Sequence, residues 1–365
     1  MNFENHHPLQ AYWDLTVAAV QAEAFDLALE SGLLDHLQMS GGVADIARHM
    51  HMDPHRSGLL LELLWSMGVL ERSTGDSATS YRLTPALAPY LVSNGGQYCG
   101  DAWRYRLQAL RHFGTQLRGL LQAPSATDDS GQPGSVPATK TFQSANGPNW
   151  AQAARKQIGQ EQRAATTAAA LHIVSAIAEC QSAFAATGAT PAKPLHMLDL
   201  GGGPGWVAIA LAQACPPLTG AVFDWPETVA VAADNIRQTG LAQRLHALPG
   251  NLEQDDIGHG YDLIWCSSVL HFVPDMAAVL AKILAALKPG GVLVCAQAEI
   301  AGDAAAAARV LPYYLPMRML GRHVTYQGQL AQLLADNGFV AIEQSTSTAF
   351  PMAPVQVLIA RKDAA

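Results

Sequence analysis

The run MLDLGGGPGW, residues 197–206, ends an apolar strand in a carboxylate and turns at once into glycine. A strand that serves only packing carries an apolar side chain at the place of Asp199, and Gly201, Gly202, Gly203 and Gly205 let the backbone approach a ligand closely. The chemistry on offer is cofactor binding. The stretch from Gly203 to Ala208 also satisfies GxGxxA, the dinucleotide fingerprint, so a nicotinamide cofactor is open at this point. A second carboxylate, Asp224, ends the strand AVFDW at a distance suited to accepting hydrogen bonds from ribose hydroxyls, which both cofactor types need.

These carboxylates need a sheet to hold them. From Leu195 onward, apolar strands (HMLDL, AVFDW, LHALPG, YDLIWCSS, GVLVCAQAE) alternate with helical patterns (GWVAIALAQA, ETVAVAADNIRQT, MAAVLAKILAALK). The alternation predicts an α/β, doubly wound, mostly parallel sheet that binds ligands at the carboxyl ends of its strands. The last two strands, FVAIEQSTS and VQVLIARK, are joined by a turn too short for a helical crossover and should pair antiparallel.

Upstream, residues 9–40 read as amphipathic helices whose apolar positions, Trp13, Val17, Val20, Phe25, Leu27 and Leu33, are too many for a small core and point to a second subunit. Next come VADIARHM, DPHRSGLLLELLWSMGVLE and a short strand pair around STGDSATS, the pattern of a winged helix. Residues 1–121 are therefore expected to form a helical, winged-helix domain, 122–148 a flexible loop, 149–190 connecting helices and 191–365 the catalytic domain.

Composition narrows the function. A net charge of −8 disfavours nucleic acid, and the first 100 residues hold 11 Asp and Glu against four Arg and no Lys. Five scattered cysteines without CxxC spacing suggest reduced thiols. No apolar run reaches the ~18 residues of a membrane span, and MNFENHHPLQ lacks the features of a signal peptide, so a cytoplasmic protein is expected.

With GNLEQDD, YDLIWCSSVLHFVPD and ALKPGGVLVCAQAE following in succession, the chain resembles the S-adenosylmethionine-dependent small-molecule O-methyltransferases of the caffeate and acetylserotonin type and their bacterial natural-product relatives. The resemblance implies a seven-stranded class I methyltransferase fold behind an N-terminal dimerisation domain, hence a homodimer acting on a small molecule. It implies that Asp199, Gly201, Gly203, Asp224, Trp225, Asn251, Leu252 and Ser267 contact S-adenosylmethionine. Asn251 departs from the family's usual Asp, and Ser267 stands where plant relatives often place Lys.

The same resemblance places His271 as the general base that takes the proton from a substrate hydroxyl, a task suited to an imidazole of pKa ~6.5. Phe272 replaces the family's Asp after this His. The acid expected at the end of the next strand is read as Glu299, behind His271, and the second acid of plant relatives is replaced by His323 within GRHVT. Two histidines at these positions also occur in a branch that methylates carbon of α-keto acids with a metal, but Phe272 removes an expected carboxylate ligand, and no metal is assigned. Sulfur or nitrogen acceptors, and a winged-helix regulator that senses S-adenosylmethionine, also fit the pattern. Tyr313, Tyr314, Met317 and Met319 are candidate pocket walls, as are Trp103, Tyr105, Trp150 and Arg155, the last for a substrate carboxylate.

Overall fold

The computed structural model describes residues 7–75, 79–122, 150–185, 194–319, 321–352 and 354–364. The expected loop 122–148 lies outside the described residues but for its first residue. The chain forms two units, Met1–Gln108 and Ala109–Ala365.

The first unit is mostly helical. Helices Gln10–Glu30, Leu33–His36, Val43–His49 and Pro54–Ser66 accompany a small antiparallel sheet of β1 (Gly41–Gly42), β2 (Leu70–Thr74) and β3 (Thr79–Leu83), ordered β1-β3-β2. Asp53 starts the helix Pro54–Ser66 by accepting from the Arg56 N–H at 2.8 Å, and Pro54 supplies a first-turn residue with no donor to satisfy. Leu33, Leu34, Leu37, Ile46, Leu61, Leu64 and Leu83 form the core. The second half of the first helix enters it through Ala28, with Phe25 and Leu29 packed against it, whereas Tyr12, Trp13, Leu15, Val17 and Val20 are exposed.

The second unit is built on a seven-stranded sheet of β4 (Leu195–Leu200), β5 (Leu218–Asp224), β6 (Leu245–Pro249), β7 (Tyr261–Ser267), β8 (Leu287–Gln297), β9 (Phe339–Ser347) and β10 (Val355–Lys362). The order is β6-β5-β4-β7-β8-β10-β9, parallel through β8 and antiparallel in the closing pair, as the spacing predicts. Side-chain alternation divides each central strand between two cores. Met197, Val222, Trp265 and Val294 pack on one face, and Leu198, Phe223, Cys266 and Cys295 on the other. Burial on both faces explains why these strands are apolar throughout and why a carboxylate at Asp199 stands out.

The order reverses between β4 and β7, since β5 and β6 follow β4 to one side and β7 and β8 lie to the other. Loops after β4, β5, β7 and β8 therefore share one edge, the place where doubly wound sheets bind ligands.

Beyond β8 the chain is tied back by Glu299. Its two oxygens accept from the Gly328 N–H at 3.1 Å and the Leu330 N–H at 3.0 Å, with the Gln344 amide at 3.4 Å, so the carboxylate caps the helix Gln329–Asp336. Ile300 pairs with the strand-like segment at Tyr326 beside it. Glu299→Ala is expected to destabilise the protein by about 1–3 kcal/mol, because buried N–H groups lose a charged acceptor. Thermal or urea unfolding checks this, and a variant as stable as the parent would refute the cap.

Candidate functional site

The glycine turn after β4 is folded tightly onto β5. The Gly201 and Gly202 N–H groups donate to the Phe223 carbonyl at 2.8 and 3.2 Å, Gly203 donates to Asp224 Oδ2 at 2.8 Å, and Gly205 donates to the Gly202 carbonyl at 3.0 Å. Gly201 has φ +65°, and a Cβ there would lie 2.4 Å from Val269 Cγ2. At Gly202 a Cβ would strike the Asp199 carboxyl group at 2.6 Å. Any side chain at either position would push the turn off its neighbours.

These bonds decide between the two cofactor readings. A dinucleotide pyrophosphate binds to free N–H groups at such a turn and at the following helix N-terminus. Here the donors of Gly201, Gly202, Gly203 and Gly205 are all engaged within the protein, and two donors in the first turn of helix Trp206–Ala214 are engaged as well. Trp206 N–H donates to Gln162 Oε1 at 3.1 Å, and Ala208 N–H to Asp199 Oδ2 at 3.3 Å. What the edge offers instead is acceptors.

Asp199 is 2% exposed, and burial pushes its carboxyl up to about 7, against the opposing pull of the Ala208 N–H. Asp224, half-buried at the end of β5, is pushed up to about 6 by burial, with the Gly203 and Trp225 N–H groups acting the other way. Each Asp224 oxygen accepts one backbone N–H, which leaves lone pairs for two ribose hydroxyls. This fits a nucleoside without phosphate.

Sequence reasoning missed Gln162. It lies on a helical stretch broken by two π-helical turns, Ala154–Ile158 and Gln162–Thr166, a distortion often found at functional sites. Its amide clasps the glycine turn from outside, donating to the Gly202 carbonyl at 3.1 Å while accepting from Trp206. Gly159 on the same stretch lies against the Trp206 indole, where a Cβ would be 3.4 Å from its nitrogen. The only sequence signal is a glutamine at this point in an Ala-rich run.

His271 sits on a short 3-10 turn, Leu270–Phe272, after β7. It is 3% exposed. Its ring meets Phe272 with centroids 4.2 Å apart and the edge of Tyr314 at 5.7 Å, and Tyr313 stands edge-on to Tyr314 at 4.9 Å. Tyr314 is buried with Ala298, Ile300 and Val310, and Met317 packs at the border of that cluster. Arg322 anchors the segment opposite by donating to the Phe272 carbonyl at 2.9 Å. Burial, seconded by the Arg322 charge, pushes the imidazole down to about 3, so the ring is neutral at physiological pH.

The partner of Nδ1 differs from the expected one. It is Gln297, the last residue of β8, whose amide meets Nδ1 at 2.6 Å. Glu299, two residues on, is taken up by the helix cap. Both residues have the same parity, so strand alternation alone does not separate them, but β8 ends at Gln297 and the chain then turns away.

The other expected residues divide. Trp225 is half-buried and opens the helix Pro226–Gln238, its N–H held by Asp224. Asn251 directs its side-chain oxygen at the Glu253 N–H, 2.9 Å away, forming a turn that Lys282 fixes by donating to the Leu252 and Asp255 carbonyls. Ser267 ends β7 on the same edge. His323 is exposed, and among the described residues no three His, Cys, Asp or Glu side chains gather as a metal site. Arg155 pairs with Asp234 at 3.3 Å, Trp103 stacks edge-on with Phe25 in the first unit, and Tyr105 is exposed.

Known proteins are similar to this chain in sequence and in fold. A family model described as a methyltransferase domain matches residues 172–344. The chain is 25% identical over 295 residues to the 3-hydroxy-5-methyl-1-naphthoate 3-O-methyltransferase of Streptomyces sahachiroi, covering 80% of this chain and 77% of that one. It is 29% identical over 282 residues to an N,N-dimethyltransferase of Streptomyces rimosus, covering 77% and 75%. Among solved structures, human N-acetylserotonin methyltransferase in complex with S-adenosylmethionine superposes with a TM-score of 0.65 at 22% identity over the whole of both chains. With a glycine turn whose donors are all satisfied and a ribose-ready carboxylate on the next strand, the chain carries a methyltransferase domain over residues 172–344 and is an S-adenosylmethionine-dependent methyltransferase similar to the small-molecule O-methyltransferases.

Proposed function

We propose that the protein is a cytoplasmic homodimer that methylates a hydroxyl of a small, aromatic acceptor, with His271 receiving the hydroxyl proton. The observation that carries this reading is the buried, neutral imidazole of His271 on the ligand-binding edge, walled by Phe272 and Tyr314. Flat aromatic walls suit a flat acceptor. The name of the Streptomyces sahachiroi relative gives it the 3-hydroxyl of a naphthoate as acceptor, which supports a hydroxyl here. The Streptomyces rimosus relative is named for dimethylation at nitrogen, so an amine acceptor is the outcome that would correct this reading.

S-adenosylmethionine, when bound, supplies a methyl carbon on a sulfonium. In this reading Asp224 holds the ribose hydroxyls, and Asp199 with Gly201 and Gly203 shapes the turn beneath the cofactor. Trp225, Asn251, Leu252 and Ser267 flank it. Glu299 acts through structure, as the cap of helix Gln329–Asp336. His323 is exposed beside Arg322 and has no part in this reading. The exposed apolar half of helix Gln10–Glu30 supports a second copy as partner, since exposing Tyr12, Trp13, Leu15, Val17 and Val20 on one helix is costly in water.

Three outcomes are expected. An acceptor panel read by mass will show a single methyl added to phenolic hydroxyls, and His271→Gln will lower turnover by ~10²-fold or more while leaving affinity for S-adenosylhomocysteine nearly unchanged. Methylated amines with silent phenols would refute the hydroxyl. Binding of S-adenosylhomocysteine, followed by calorimetry, will weaken as pH falls through about 6, because protonated Asp224 loses an acceptor, by up to ~10-fold per pH unit below that point. Asp224→Asn will bind weakly with a flattened dependence. Finally, light scattering will show a dimer, and a chain carrying both Val17→Asp and Val20→Asp will be monomeric. A monomeric parent would refute the dimer.

A further inference from the structure

The group behind His271 is an amide where His-based sites commonly use a carboxylate. Gln297 is 4% exposed, and its Nε2 faces Nδ1 at 2.6 Å while its Oε1 is buried with no hydrogen-bond partner. A half-turn about the terminal bond exchanges the two ends and moves no other atom, so packing allows either end at Nδ1. The two choices are chemically opposite. If the NH2 donates to Nδ1, the ring proton sits on Nε2 and the imidazole offers the acceptor a donor. If Oε1 accepts from Nδ1–H, the Nε2 lone pair is available to a hydroxyl.

We propose that Gln297 is a positioning residue that holds His271 as the Nδ1–H tautomer through Oε1, and that the site selects acidic hydroxyls, phenols or enols, over aliphatic alcohols. The proposal rests on methyl transfer to oxygen as read above. An amide fixes the tautomer and ring plane as a carboxylate does, yet supplies no negative charge to stabilise an imidazolium.

The groups around the ring agree. Arg322 places a cation nearby, Tyr314 and Phe272 offer aromatic edges, and Glu299 is committed to the cap at Gly328 and Leu330. Charges of this sign oppose a proton stored on the ring and favour an oxyanion beside it. An alcohol of ordinary acidity needs a base that keeps its proton, whereas a phenol or enol hydroxyl gives its proton up readily. Its proton passes through Nε2 to water, the oxygen pair forms the new O–C bond, and the pair of the broken S–C bond stays on sulfur.

Nitrogen-15 NMR of protein labelled at histidine tests this without any acceptor, His271→Gln identifying the signal. In the parent protein His271 is expected to show a protonated Nδ1, a bare Nε2 and no titration between about pH 5 and 8. Gln297→Glu should raise the proton affinity of the ring about 100-fold, and Gln297→Met should remove the tautomer preference while the ring stays neutral. An Nε2–H tautomer, ordinary titration near neutral pH in the parent, or a Gln297→Glu ring of unchanged affinity would overturn the proposal. In the acceptor panel, aliphatic alcohols methylated as fast as phenols would overturn the substrate class. Exclusive methylation of amines would instead refute the reaction on oxygen, with the tautomer still read independently from the parent spectrum.

Discussion

The structure turns on one contact that leaves no room for a side chain: Gly201 against Val269. The glycine turn follows β4, and Val269 lies two residues before His271 on the loop after β7. Because these strands are neighbours, the glycine turn and the loop that carries His271 meet directly. A Cβ at 201 would sit 2.4 Å from Val269, well inside contact distance, and the turn, the loop or both would have to give. The close approach that makes glycine necessary also couples two parts of the site that are about 70 residues apart in the chain.

Around that contact, hydrogen bonding sorts out what the turn is for. A loop of four glycines suggests bare N–H groups and an anion. The fold consumes each donor internally, on Phe223, Asp224 and Gly202, and Gln162 and Asp199 take donors from the first turn of the following helix. A turn with its donors closed and two carboxylates beneath it is electrostatically hostile to phosphate. The same features suit a ligand that brings hydroxyl donors. Burial keeps both carboxyl groups at raised proton affinity, a sign that each is poorly solvated until something donates to it.

What could be read from the sequence follows from range. Strand and helix alternation, the carboxylate at Asp199 and the short turn before VQVLIARK are local patterns, and each appears in the structure at the expected place. The role of Gln162 depends on a contact 40 residues away with Gly202, and nothing in QEQRAA announces the π-helical turn that aims it. The choice between Gln297 and Glu299 was illegible for a different reason. Alternation gives both the same face, and the charged residue is the one that looks catalytic. Only the end of β8, and the pairing of Ile300 with Tyr326 just beyond, reveals that Glu299 has left the sheet for a helix terminus.

That displacement changes how His271 is supported. A carboxylate against an imidazole does two jobs, orienting the ring and stabilising its charged form, and in most His sites the two are inseparable. Here they are separated: Gln297 contacts Nδ1, while the negative charge of Glu299 is held by backbone N–H groups at Gly328 and Leu330. The fixed charge that acts on the ring is then Arg322, whose sign is the reverse. Moving a carboxylate by two residues along the chain therefore keeps a side chain at Nδ1 and reverses the sign of the charge acting on the ring, and in the proposed reaction the acceptor would supply through its own acidity what the ring does not.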